Sequence, residues 1–185
     1  IALIASGSRT PSRLIVCTLS GEVQVKRRTT NEEIPPACYS QPQPVQWRGD
    51  SNQELHGLLY PPCNPAFEAP GSPPLMVMVH SGPTSQKTMG FDAPTQFFTS
   101  RGYAVLHVNY RGSSGYGRAY RDSLRGNWGV FDVEDVVSGA RYLVQTAQVN
   151  RERVFIMGGS AGGFTVLKAM EDYPGFFKAG IDDQV

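Results

Sequence analysis

The chain carries VFIMGGSAG at residues 154–162, and this stretch decides how the rest of the sequence is interpreted. The apolar run Val154–Met157 predicts a buried strand, and Ala161–Tyr173 predicts the helix that follows it. Between them lies G-x-S-x-G, the pattern of a nucleophile elbow, in which a sharp turn exposes a serine hydroxyl at the end of a strand. Ser160 is therefore predicted to be a catalytic nucleophile. The N–H of Ala161 is predicted to be one donor to the oxyanion that forms after attack.

The alternative for this stretch is an ordinary glycine turn, as in phosphate-binding loops. The dinucleotide fingerprint requires G-x-G-x-x-G, whereas the glycines here stand at 158, 159, 162 and 163, with Ser160 in their centre. The segment also lacks the lysine of a P-loop. The strand, turn and helix context favours the nucleophile.

The second half of the chain alternates between strand and helix patterns. Two buried strands and two helices are predicted, over Leu75–His80, Pro94–Ser100, Tyr103–Asn109 and Val133–Gln148. For the last helix, Asp132 is predicted as the N-cap and Asp135 as its capping-box partner. Such alternation predicts an α/β fold, a mostly parallel sheet with helices on both faces.

The first part of the chain has a different pattern. Short strands are predicted over Ile1–Ala5, Leu14–Leu19 and Glu22–Lys26, with the last two joined at Ser20-Gly21. Residues 1–35 are thus expected to be a β-strand remnant, residues 36–44 a proline-rich linker, and residues 45–185 the N-terminal part of a catalytic domain. That domain is expected to open with a hairpin that pairs Val45–Trp47 with Leu55–Tyr60.

A second oxyanion donor is expected from a loop that follows an earlier strand. His80-Ser81-Gly82-Pro83 ends a predicted strand, and Gly82 is the expected donor; the alternative is an ordinary turn. His80 itself is expected to hold the loop by hydrogen bonds. His107 is expected to be a satisfied core residue, and His56 lies in the hairpin.

One further segment, YRGSSGYGR at residues 110–118, follows a predicted strand. It is either a glycine-rich surface loop or a segment whose Arg and Tyr side chains contact substrate or a neighbouring domain. Spacing leaves both alternatives open.

Composition excludes some classes of function. Lys and Arg total 17 and Asp and Glu total 16, a net charge of +1, so neither nucleic acid nor an anionic membrane surface is an expected partner. No apolar stretch is long enough to span a bilayer. The three cysteines match no metal or redox spacing, and free thiols favour the cytoplasm. No cofactor or metal is expected.

Four ordered motifs together resemble one family, the prolyl oligopeptidase family of serine peptidases, in its acylaminoacyl-peptidase and dipeptidyl-peptidase branch. They are HSGPT at residues 80–84, NYRGSSGYG at 109–117, WG followed by Asp132 and Asp135, and GGSAGG at 158–163. The resemblance implies part of an α/β-hydrolase fold preceded by the remnant of a β-propeller blade. It implies a peptidase that cleaves short peptides through an acyl-enzyme on Ser160. A homo-oligomeric parent protein is one option.

Ser81 departs from the glycine that is usual in the family, which would strain the chain if Ser81 needed a positive φ. The family order places the catalytic Asp and His after Val185, so the isolated chain is expected to be an inactive part of a longer enzyme. Asp182 and Asp183 follow Ser160 too closely to be assigned as the triad acid. The sheet is expected to stop at the Val154–Met157 strand and leave an unpaired apolar edge. The alternatives are a carboxylic ester hydrolase of the same fold and a non-catalytic fragment.

Overall fold

A computed structural model describes residues 1–30, 34–66 and 68–183. The first part is a three-stranded antiparallel sheet with the order β1-β2-β3. Its strands are β1 (Ala2–Gly7), β2 (Thr10–Cys17) and β3 (Val23–Arg28). The pairing of β2 with β3 confirms the hairpin predicted at Ser20-Gly21.

The second part is a six-stranded sheet packed between helices. Its strands are β4 (Gln43–Arg48), β5 (Glu54–Tyr60), β6 (Leu75–Val79), β7 (Ala104–Asn109), β8 (Val154–Gly158) and β9 (Ala179–Asp182). The helices are α1 (Ala93–Thr99), α2 (Arg118–Asp122), α3 (Phe131–Gln145) and α4 (Ala161–Asp172). The strand order is β4-β5-β7-β6-β8-β9, in which β7, β6, β8 and β9 are parallel and β4 and β5 are antiparallel to their neighbours. This confirms the predicted α/β fold.

The central strands are predominantly apolar because the sheet is covered on both faces. Alternate residues of β6 face opposite ways: Val77 packs in the cluster that contains α3 and α4, and Met76 packs in the cluster next to Phe98 of α1. All of β6 and β7 is buried. The carboxyl ends of these strands therefore meet at one edge of a rigid sheet.

The predicted cap of α3 is wrong. The helix begins at Phe131 with Val130 as its N-cap, because the carboxylate of Asp132 points into the protein. Its Oδ1 accepts from the Gly129 N–H at 2.7 Å and its Oδ2 accepts from the Thr165 hydroxyl at 2.6 Å. Asp135 pairs with Arg111 instead of serving as a capping partner.

The expectation that the sheet stops at the Val154–Met157 strand is also wrong. The strand β9 pairs in parallel with β8, from Phe155 with Ala179 to Gly158 with Asp182, so the strand before Ser160 has a neighbour on both sides. The small residue Gly180 lets α4 lie close to β9: a Cβ there would be 3.0 Å from Val166.

The proline-rich connector is fastened to the α/β unit. It forms a short 3-10 turn over Pro36–Cys38, and β4 begins at Gln43, two residues inside the segment predicted as linker. The buried Ser40 exchanges two hydrogen bonds with the Gln96 side chain of α1, at 2.9 and 3.1 Å. The connector is thus held against α1 at Ser40.

Within the described ranges, no helix has the length and apolar character needed to cross a membrane. The same ranges contain no group of His, Cys, Asp and Glu side chains arranged to hold a metal ion.

Candidate active site

Ser160 occupies the sharp turn between β8 and α4. Its backbone angles are φ 52° and ψ −120°, and its side chain is exposed. These angles are those of the first central residue of a type II′ turn, a position that favours glycine. A serine held in this conformation presents its hydroxyl beyond the carboxyl edge of the sheet, as a nucleophile elbow requires.

The glycines around Ser160 are required by close packing. A Cβ on Gly162 would be 2.4 Å from the Val79 carbonyl oxygen, and one on Gly158 would be 2.7 Å from the backbone of Gly162. A Cβ on Gly159 would be 2.5 Å from the Asp183 carbonyl oxygen. The turn is therefore tight because three backbone segments touch it without room for a side chain.

The loop after β6 lies directly against this turn. Val79 pairs with Gly158 at the ends of the parallel strands, and the Ser81 hydroxyl donates to the Gly159 carbonyl at 2.8 Å. The positive φ in this loop, 133°, belongs to Gly82. Ser81 is not among the residues with positive φ, so the serine that replaces the usual glycine carries no strain of that kind.

The two predicted oxyanion donors lie on these neighbouring segments. Ala161 is the first residue of α4, where backbone N–H groups have no acceptor within the helix. The start of a helix also favours negative charge. Gly82 lies in the loop that Ser81 joins to the elbow. The arrangement brings a hydroxyl, a helix N-terminus and a glycine loop to one edge of the sheet.

The histidines of the chain have structural partners. His80 Nε2 lies 2.8 Å from the Ser113 Oγ and Nδ1 lies 2.9 Å from the Ser81 carbonyl oxygen, which confirms its predicted role in holding the loop. Burial lowers its pKa. His56 stacks on Tyr116 with 4.2 Å between ring centroids. In the described part of the chain, none of the three histidines hydrogen bonds to Ser160.

His107 is buried as predicted, and it belongs to a polar cluster that sequence reasoning missed. His107 Nε2 lies 2.7 Å from the Thr95 Oγ1, whose hydroxyl donates to Asp92. Asp92 also pairs with Lys87. Because the Thr95 hydroxyl donates its proton to Asp92, the Thr95 oxygen is left to accept a hydrogen bond from His107. The tautomer of His107 with its proton on Nε2 makes that bond. Burial, and secondarily the charge of Lys87, lower the pKa of His107 to about 3, so the ring is neutral.

The cluster lies beside the elbow. A cavity of about 200 Å³ is lined by Lys87, Asp92 and His107 on one side and by Gly158 and Gly159 on the other. Burial acts to raise the pKa of Asp92, but hydrogen bonds from Lys87 and Thr95 outweigh it and leave that pKa below its ordinary value. The available signal was Asp92-Ala93-Pro94, an N-cap residue before a proline in the first turn, and Asp92 caps α1 by accepting from the Thr95 N–H at 3.0 Å.

At the end of β9, Asp182 has one carboxylate oxygen that is buried and has no hydrogen-bond partner in the described ranges. Asp183 donates its N–H to the Gly158 carbonyl at 2.9 Å. Neither carboxylate hydrogen bonds to a histidine within those ranges, so the structure does not bring these acids together with a base.

Comparison with known proteins finds a matching family and related enzymes. The model of the prolyl oligopeptidase family matches residues 89–184, more than half of the chain. Dipeptidyl aminopeptidase BIII of Pseudoxanthomonas mexicana is 32% identical over 75% of the chain. The human acylamino-acid-releasing enzyme is 38% identical over 61% of it. The chain spans only 21% and 17% of the lengths of these two relatives.

Solved structures of peptidases also match the chain, over nearly its whole length. A puromycin-hydrolyzing peptidase of Mycobacterium tuberculosis superposes with a TM-score of 0.92 and 40% identity, covering 98% of this chain and 28% of that one. An acylaminoacyl peptidase of Pyrococcus horikoshii gives a TM-score of 0.75 and 25% identity, covering 100% of this chain and 29% of that one. By its sequence match and its fold, the chain belongs to the prolyl oligopeptidase family.

Proposed function

We propose that the protein is a serine peptidase that cleaves short peptides through an acyl-enzyme on Ser160. The observation that carries the proposal is the backbone of Ser160, which takes a conformation suited to glycine and presents its hydroxyl beside the Gly82 loop. Non-glycine residues with strained angles cluster at functional sites, where the strain can be part of the mechanism. The relatives named dipeptidyl aminopeptidase and acylamino-acid-releasing enzyme support a peptide as the substrate class.

In the proposed mechanism, the Ser160 Oγ attacks the carbonyl carbon of the scissile amide and its proton passes to a base. The N–H groups of Ala161 and Gly82 stabilise the oxyanion. Collapse of the tetrahedral intermediate breaks the C–N bond, and the base returns the proton to the departing amine. Water then gives a proton to the base and attacks the acyl-enzyme, and the second collapse releases the acid while the base returns that proton to the Ser160 oxygen.

The base has to come from outside residues 1–185 in this proposal. His80 hydrogen bonds to Ser113, and His107 hydrogen bonds to Thr95. His56 lies on the antiparallel strand β5 and stacks on Tyr116. The family resemblance implies a His, oriented by an Asp, that follows Ser160 in sequence. The peptidase activity is therefore proposed for the intact gene product.

Two further proposals concern the setting of the enzyme. Cys17, Cys38 and Cys63 are all free thiols, which suits a reducing compartment, so we place the protein in the cytoplasm. Homo-oligomerisation of the intact protein stays a prediction, which its mass in solution would test.

The test is covalent labelling and kinetics of the intact gene product. A fluorophosphonate probe should label Ser160, and Ser160→Ala should lose both the label and the hydrolysis of a peptide anilide. Ser51→Ala, an exposed serine in the β4–β5 turn, is the matched control and should behave as wild type. Matched amide and ester substrates then separate a peptidase from an ester hydrolase. Amide hydrolysis that survives Ser160→Ala would contradict the proposal.

A further inference from the structure

The segment that follows β7 is buried over residues 110–113, and two of its side chains, Tyr110 and Ser113, contact the proposed oxyanion loop. Tyr110 has no exposed surface, although it follows a strand within a glycine-rich sequence. Its hydroxyl lies 3.1 Å from the carbonyl oxygen of His80 and 3.1 Å from that of Pro83. One tyrosine proton is thus shared between the two carbonyls that bracket Ser81 and Gly82.

Other contacts hold the same loop from the same side. The ring of Tyr110 stacks on His80 with 4.3 Å between centroids and 14° between planes. Ser113, also fully buried, hydrogen bonds to His80 Nε2 at 2.8 Å. The Ser114 N–H donates to the Ser85 carbonyl at 2.7 Å. The loop therefore has partners at His80 and Pro83, and the chain that follows it has one at Ser85.

Arg111 attaches this segment to the core of the protein. Arg111, the neighbour of Tyr110, makes a two-pronged ion pair with Asp135 of α3, with contacts of 2.7 to 3.0 Å. The Arg111 N–H also donates to Asp135 at 2.7 Å, and the guanidinium stacks 3.8 Å above the Phe131 ring. Because Asp135 is fully buried, Tyr110 is attached to the core of the protein rather than to a mobile surface loop.

We propose that Tyr110 is a positioning residue for the oxyanion site: its hydroxyl holds the 80–83 loop so that the Gly82 N–H faces the Ser160 turn. This inference rests on the proposed peptidase function. Gly82 has a positive φ, and as a glycine it can adopt many other backbone conformations. The direction of its N–H therefore depends on contacts that other residues make with the loop. The Tyr110 hydroxyl contacts the carbonyls of His80 and Pro83, which precede and follow Gly82 in the chain. The Ser81 hydroxyl joins the loop to Gly159 of the elbow.

The test is Tyr110→Phe in the intact gene product, which keeps the ring and removes only the hydroxyl. Amide hydrogen exchange of residues 81–86 should become about five- to ten-fold faster, the effect of one lost hydrogen bond. The kcat for a peptide anilide should fall about ten-fold, less than the loss of a whole oxyanion donor, with KM within about two-fold of wild type. Affinity for a peptidyl boronate, which resembles the tetrahedral intermediate, should fall in parallel with kcat/KM.

Tyr120→Phe is the matched control. It removes a partly buried tyrosine hydroxyl that donates to the Asn109 carbonyl at 2.6 Å, and in the described ranges that hydroxyl bonds to no group of the 80–83 loop. Exchange of residues 81–86 and kcat should stay at wild-type values. Ser113→Ala provides a second variant should Tyr110→Phe fold poorly, since it frees His80 Nε2 and should shift loop exchange and kcat in the same direction.

Two results would overturn the inference: unchanged exchange of residues 81–86, or faster exchange with unchanged kcat. A merely structural tyrosine would lower Tm and leave kcat per folded molecule as it was. Activity that survives Ser160→Ala would reject the peptidase proposal, and with it the catalytic meaning of the inference. The exchange measurement would still report whether Tyr110 orders the loop, so the two failures are distinguishable.

Discussion

The Thr165 hydroxyl of α4 donates a 2.6 Å hydrogen bond to the carboxylate of Asp132 in the first turn of α3. Both residues have no exposed surface. The other oxygen of Asp132 accepts from the Gly129 N–H, so the helix that follows the nucleophile is connected through one buried acid to the segment before α3.

Thr165→Val should destabilise the protein by about 1–3 kcal/mol, because it keeps the shape of the side chain and leaves a buried carboxylate oxygen without its donor. Urea unfolding followed by circular dichroism measures the loss. Thr146→Val is the control: Thr146 is exposed at the end of α3, and its replacement should change the free energy of unfolding by less than about 0.5 kcal/mol. Equal effects of the two substitutions would show that the Asp132 contact contributes nothing.

Ser160→Gly should stabilise the protein by about 1 kcal/mol while abolishing the proposed activity. Its φ of 52° and ψ of −120° are unfavourable for a residue with a Cβ and accessible to glycine. Ser160→Ala keeps the Cβ and serves as the control that loses activity without gaining stability. Thermal unfolding of the three proteins checks this, and a glycine variant no more stable than the alanine variant would contradict it.

Gly162→Ala should destabilise the protein by about 3 kcal/mol or more, because its Cβ would lie 2.4 Å from the Val79 carbonyl oxygen. Neither backbone can yield without separating α4 from β6. Gly7→Ala is the control, since a Cβ there would meet only Thr10 at 3.7 Å, an ordinary contact. Expression and urea midpoints of the two variants decide the matter, and a stable, folded Gly162→Ala protein would refute the packing explanation.

The stability of the protein should fall as the pH decreases from about 6.5 towards 3, in part because of His107. Its pKa is about 3 in the folded protein, against the ordinary histidine value of 6.5 that applies to the unfolded chain. Between these values the unfolded chain binds a proton that the folded protein does not, so the free energy of unfolding rises with pH in that window. His107→Gln should flatten the dependence. Urea unfolding at pH 4 to 7 tests this, and parallel curves for both proteins would exclude the contribution of His107.

The sequence predicts the elbow to within a residue because everything that defines it is local. The apolar run of β8, the glycines that permit the turn and the apolar face of α4 all lie within residues 154–172. The order of strands and helices follows from similar local patterns, which differ in period between the two kinds of element.

Interactions between distant segments could not be predicted in this way. Asp132 has the sequence signature of a helix cap, but a tertiary contact 33 residues away uses its carboxylate. Tyr110 and Arg111 lie in a sequence typical of a surface loop, and only the assembled sheet shows that they are buried against His80 and Asp135. The strand β9 was missed because it is a short strand, Ala179–Asp182, that ends in an acidic residue. Its pairing with β8 is what defines it.

The hydrogen bond from Ser81 to Gly159 joins residues 78 positions apart in the chain, and the Tyr110 hydroxyl reaches back 30 positions to His80. The proposed nucleophile and the proposed donor Gly82 thus meet only after β6, β7 and β8 have aligned. We therefore expect a nascent or partly unfolded molecule to hold Ser160 as an ordinary, unreactive alcohol. The proposed activity would then appear only once the parallel strands have paired.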